Sequence, residues 1–184
     1  MKITGGEERT QETGLSRGLI SNLFDYCRPL VATIKVGRYG VHAVTYLKAA
    51  QQHAHRPVKQ AVISASALSL LYPQNGVVGY SSEAFLDDLV DEAERDIREC
   101  LTAGAACVQI DFTEGRLALK LDPSGGVLNA FIELNNRVLD RFNATERQRI
   151  EVHTCPGGDH DSTHSADVDY TVLPGLVCEF FRNL

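Results

Sequence analysis

Three observations predict a parallel α/β fold. Short runs of small apolar and β-branched residues alternate with longer segments whose apolar residues recur at helical spacing, and the polar residues of chemical interest fall just after the short runs. With 184 residues, 43% hydrophobic and 23% charged, the chain can bury a core and fits one domain.

The N-terminal text is mixed. Gly5-Gly6 is followed by the polar run Glu7 to Gln11, in which Glu7 by itself reads as a solvated loop carboxylate. Leu19, Ile20, Leu23 and Phe24 have helical spacing, and Val31 to Val36 is β-branched enough for a strand. His42 to His55 reads as a helix with Leu47 and Ala50 on one side. His53 and His55 sit in a polar stretch and are expected to be exposed.

From Pro57 the pattern sharpens. Lys59 to Ala65 (KQAVISA) is nearly continuous in small apolar residues, as in a parallel strand covered on both faces. Its end, Ser64-Ala65-Ser66, is expected to face the site. A helix follows, capped by Ser81 or Ser82, with Glu83, Asp87 and Asp88 near the positive end of its dipole. Phe85, Leu86, Leu89, Val90, Ala93, Ile97 and Leu101 give it a buried stripe, Gly104 stops it, and its acidic face reads as solvated surface.

Ala105 to Phe112 (AACVQIDF) is a second buried strand that delivers Asp111 near its end. A carboxylate there needs a partner, because a lone charge in an apolar setting is strongly disfavoured. Arg116 is one candidate partner, and a ligand's ammonium group is the other. A Pro-Ser-Gly-Gly turn at 123–126 leads to a helix with Leu128, Phe131, Ile132, Asn135, Leu139 and Phe142 on one face. Thr145 with Gln148 suggests a capping box.

The third strand, Ile150 to Val152, ends in His153 and Cys155. An imidazole and a thiol two residues apart on extended backbone can face one point, and both are zinc donors. Beyond them lies a Pro-Gly-Gly loop carrying Asp159, His160, Asp161 and His164. Such dense spacing more often marks hydrogen-bonded loop architecture than metal ligation.

Three blocks in one order, GYSSEAFLDDLVDEAERDI (79–97), VQIDFTEGRLALKLDP (108–123) and HTCPGGDHDSTHSADVDY (153–170), closely resemble the cobalamin-independent methionine synthase family, in its C-terminal-domain branch. The resemblance spans about residues 57–176. It implies a (β/α)₈ TIM barrel, of which 184 residues would form only part, since a whole barrel takes about 250. It also implies zinc-dependent methyl transfer from 5-methyltetrahydropteroylpolyglutamate to homocysteine, forming methionine.

By that resemblance His153 and Cys155 are zinc ligands, while Asp111 and Glu7 hold the amino-acid end of homocysteine. The glutamate and second cysteine that complete the family's zinc shell lie further along than this sequence runs. Cys178 and Glu179, in VCEFFRNL, do not match the blocks that carry them. The expectation is therefore an incomplete barrel domain over 1–184, weakly active or inactive alone and able to self-associate through open barrel edges. The alternatives are a metal-dependent hydrolase using His153 with His160 or His164, and a non-catalytic half-barrel subunit.

Composition excludes some classes. A net charge of −6 without a basic cluster argues against nucleic acid. No apolar run is long enough for a membrane span and no signal peptide is evident, so the expected compartment is the cytoplasm. Five cysteines without paired spacing read as reduced thiols.

Overall fold

The computed structural model describes residues 38–155 together with Val168, Asp169 and Thr171. Helix α1 (Val44–Gln51) precedes strand β1 (Lys59–Ile63), the short α2 (Ala65–Ser69) and the long α3 (Ser82–Thr102). Strand β2 (Cys107–Asp111) is followed by α4 (Glu114–Leu121), α5 (Gly126–Leu139), the single turn α6 (Ala144–Arg147) and strand β3 (Ile150–His153). The strands form an open parallel sheet in the order β1-β2-β3, with helical crossovers between neighbours. The domain is thus α/β. Among the described residues no helix is long and apolar enough to cross a membrane.

Strand alternation splits the sheet into two unlike faces. Val62, Val108, Ile110 and Ile150 are buried under the helices. On the opposite face Lys59, Ala61, Glu151 and His153 are exposed, and Cys107, Gln109 and Asp111 are half-buried. This corrects the expectation that β1 is covered on both sides: Ile63 remains 39% exposed. A run of small apolar residues does not say how many faces are covered, because Ala61 tolerates either environment.

Helix α3 is the main support of the core. Ser81 Oγ accepts from the Ala84 N–H at 3.1 Å, as an N-cap should, and Phe85, Leu89, Val90, Ala93 and Ile97 are buried. Gly104, at φ 84°, takes the left-handed turn that ends the helix. Helix α5 buries Leu128, Phe131, Ile132, Asn135 and Leu139, as expected from the spacing, while Phe142 is buried too but lies past the end of the helix. Ion pairs Arg137–Asp87, Arg141–Asp91 and Arg98–Glu146 tie the outer surfaces of α5 and α6 to α3. These pairs are largely solvent-exposed, so they orient the helices more than they stabilise them.

Two local expectations are revised. The capping box of α6 is made by Asn143 and Glu146, not Thr145 and Gln148. Asn143 leads the N-cap preference, so the turn starts one residue after it. The helix predicted over His42 to His55 is confined to Val44–Gln51, with Leu47 buried and Ala50 exposed. His53 and His55 are exposed, as expected.

The acidic face of α3 is not wholly solvated either. Glu92 and Asp96 are 6% and 4% exposed. Asp96 Oδ1 accepts from the Ala43 N–H at 2.7 Å, and Glu92 Oε2 meets the Tyr39 N–H at 3.0 Å and His42 Nε2 at 3.1 Å. These carboxylates satisfy the orphan donors that precede α1 and so decide where that helix begins.

Burial pushes the Asp96 carboxyl up to about 6, against the lowering effect of the Ala43 bond. Its folded value lies above its unfolded one, so its favourable contribution is complete below about pH 4 and is lost as pH rises through 6. Asp96→Asn keeps an acceptor for Ala43 without the charge. The urea midpoint of the wild type, measured against this variant, should therefore fall between pH 4 and 7 by the equivalent of about 1–3 kcal/mol. Parallel midpoint curves would show that Asp96 titrates as an exposed carboxyl.

Candidate functional site

The carboxyl ends of the strands bring the sequence candidates together. Ile63, Asp111 and His153 are register partners on β1, β2 and β3. In a parallel sheet this places their side chains in one row on one face, with neighbouring strands about 4.8 Å apart. The row lies on the open face. The Phe112 N–H donates to the His153 carbonyl at 2.8 Å, extending the β2–β3 ladder past Asp111. Cys155 follows two residues beyond His153, half-buried and not in a disulfide.

Asp111 finds its partner on its own strand. Gln109, two residues earlier and so on the same face, donates from Nε2 to Asp111 Oδ1 at 2.7 Å. Gln109 Oε1 in turn accepts from Lys59 Nζ at 2.7 Å, and Lys59 also approaches Glu151 at 3.9 Å. Lys59 and Gln109 thus set the orientation of the Asp111 carboxylate. Arg116, the partner considered from sequence, donates from Nη2 to the Val168 carbonyl instead. At the other end of the open face, burial and the neighbouring Glu151 push the Cys107 thiol up to about 11, so it is a protonated thiol, not a nucleophile.

Ser64 and Ser66 do not face this row. They are 1% and 0% exposed and turn into the helix side, where both hydroxyls donate to Glu114 Oε1. The physical reason is alternation: Ser64 follows Ile63, which occupies the open face, so Ser64 points the opposite way. Gln109 was legible in principle from its two-residue spacing to Asp111. Glu114 was not, because Thr-Glu-Gly at a helix start reads as exposed.

The row has the right donor chemistry for half a zinc shell. His153 and Cys155 offer nitrogen and sulfur, but among the described residues no group of three or more His, Cys, Asp or Glu is placed to hold a metal ion. A structural zinc site has four protein ligands and a catalytic one usually three. The described residues therefore do not complete a metal centre. Glu7, the loop residues Asp159, His160, Asp161 and His164, and Cys178 and Glu179 lie outside the described residues.

The fold and this row define a parallel α/β domain with an acid–imidazole pair at its strand ends. No known protein family, curated protein or solved structure matches the chain.

Proposed function

We propose that this chain serves zinc-dependent methyl transfer from 5-methyltetrahydropteroylpolyglutamate to homocysteine. The observation that supports it is the register of Asp111 with His153 at the ends of adjacent parallel strands, with Cys155 two residues on. In this reading the three strands are a sector of a (β/α)₈ barrel, and the open face looks into the barrel, where polar residues at strand ends form the site. The free edges of β1 and β3 then take further strands, from this chain or from another copy.

Asp111, oriented by Gln109, pairs through Oδ2 with the substrate's ammonium group. His153 and Cys155 supply an imidazole and a thiolate, and the remaining ligands come from beyond the described residues. Zinc, when bound, supplies a Lewis acid that favours the substrate sulfur as thiolate near neutral pH. The chain's own part is to fix the amino-acid end so that the sulfur is presented in line with the methyl group.

With only two donors among the described residues, the chain alone is expected to hold zinc weakly and to form little methionine. The test measures zinc retained on dialysis and methionine formed from homocysteine and methyltetrahydrofolate triglutamate. Cys155→Ala and His153→Ala should each weaken zinc binding by about 10–100-fold or more, since even the outer partners of zinc ligands carry that much, while His164→Ala should leave it unchanged. Loss on His164→Ala with Cys155→Ala neutral would overturn the reading in favour of a hydrolase. Zinc binding indifferent to all three would favour a non-catalytic barrel subunit.

A further inference from the structure

Under the sheet ends lies a buried polar cluster that the proposed reaction does not use. Glu114 is 4% exposed and Asn135 1%, and with Ser64 and Ser66 they come from the end of β1, from α2, α4 and α5. Their partners fix where each hydrogen goes. Ser64 Oγ accepts from the Ala67 N–H at 3.0 Å, so its own hydrogen is donated to Glu114 Oε1, 2.5 Å away.

Asn135 Nδ2 donates both to the Phe131 carbonyl at 3.0 Å and to Ser66 Oγ. The Ser66 hydroxyl hydrogen is thereby directed to the same Glu114 Oε1. Glu114 Oε1 takes two hydrogens, while Oε2 is buried without any hydrogen-bonding partner.

A carboxylate would leave part of its charge on that isolated oxygen, in a site closed to water. A carboxylic acid would not: its carbonyl oxygen accepts both hydroxyls and its proton sits on Oε2. Among the described residues no cation is bonded to Glu114. Helix α2 has no charged residue, Glu133 and Arg137 on α5 are exposed, and Arg116 on α4 reaches the Val168 carbonyl. Lys59 lies on the opposite face of the sheet, bonded to Gln109.

We propose that Glu114 is a positioning residue held as a neutral carboxylic acid, tying the end of β1 to the start of α4 and keeping Ile63 and Asp111 abreast at the strand ends. This stands independently of the methyl-transfer reading. Burial raises the pKa of Glu114 above the ordinary 4.5, outweighing the lowering effect of the two serines and of the Glu114 and Ala67 N–H groups. Folding therefore takes up a proton wherever the pH lies between the unfolded and the folded value. The stability it contributes is complete below the unfolded value and is lost as pH rises through the folded one.

The direct test is carbon NMR of the full wild-type chain, with the Glu114 carboxyl resonance assigned by its loss in Glu114→Gln. It should remain at the protonated position at pH 7 while exposed glutamates have already titrated. Titration alongside those exposed glutamates would overturn the proposal. The urea midpoint of the wild type should also fall between pH 5 and 8 relative to Glu114→Gln, whose amide copies the acid's shape and acceptor. Parallel profiles would count equally against it. For the positioning role, the amide resonances of Ile63 and Asp111 should stay in place in Glu114→Gln and shift in Glu114→Leu, which fills the space but accepts no hydrogen bond. Resonances unmoved by leucine would remove that role.

Discussion

Phe85→Ala is expected to lower the unfolding free energy by about 3–5 kcal/mol, the range for truncating a fully buried aromatic. Phe85 is 0% exposed in the first turn of α3. Its ring stands 5.3 Å from that of Tyr72 and meets the Tyr80 ring edge-on at 6.1 Å. The Tyr72 hydroxyl donates to the Tyr80 carbonyl at 2.6 Å, and the Tyr80 hydroxyl to Asp88 at 2.5 Å. With both tyrosines tethered by their hydroxyls, they cannot collapse into the space a truncated Phe85 leaves. The loss should therefore include the cavity contribution as well as the transfer contribution. Urea denaturation followed by circular dichroism measures it, and a change below about 1 kcal/mol would mean that the 72–80 segment repacks freely.

Gly115→Val is expected to destabilise by about 1–3 kcal/mol or more, the usual range for overpacking. A Cβ at Gly115 would stand 2.6 Å from Phe112 Cε1, and Phe112 is itself fully buried. The ring cannot retreat without displacing the residue that follows Asp111. The variant should consequently disturb Asp111 as well as lower the midpoint. Gly40→Ala, where an added Cβ meets nothing within 4 Å, is the control and should change stability by less than about 0.5 kcal/mol. Equal effects at the two glycines would refute the packing explanation.

The fold class and the helix faces were legible because they rest on local periodicity. In α3 and α5 the apolar residues repeat at the helical interval, so the buried stripes of Phe85 to Ile97 and of Leu128 to Leu139 could be named without coordinates. Strand order needed nothing more elaborate, since consecutive strands joined by helical crossovers pair as parallel neighbours. The row of Asp111 and His153 was also accessible: both end their strands, and adjacent parallel strands bring such residues abreast.

The partners of buried charge were not legible. Glu92 and Asp96 stand seven residues after Phe85 and Leu89, at the edge of the buried stripe, so helical spacing alone could have flagged them. The chain at 39–43, which folds over them and presents unpaired N–H donors, lies about fifty residues away in sequence. Glu114 is the same case at the sheet ends, buried among serines at the start of α2 and an asparagine from α5. Gln109, not Arg116, bonds Asp111 for a related reason: proximity in sequence favoured Arg116, but a helix turned its side chain towards Val168, while two-residue strand spacing kept Gln109 on the carboxylate's face. Periodicity reports which way a side chain leaves the backbone; whether water, a donor or another charge waits there depends on segments distant in sequence, and only their packing settles it.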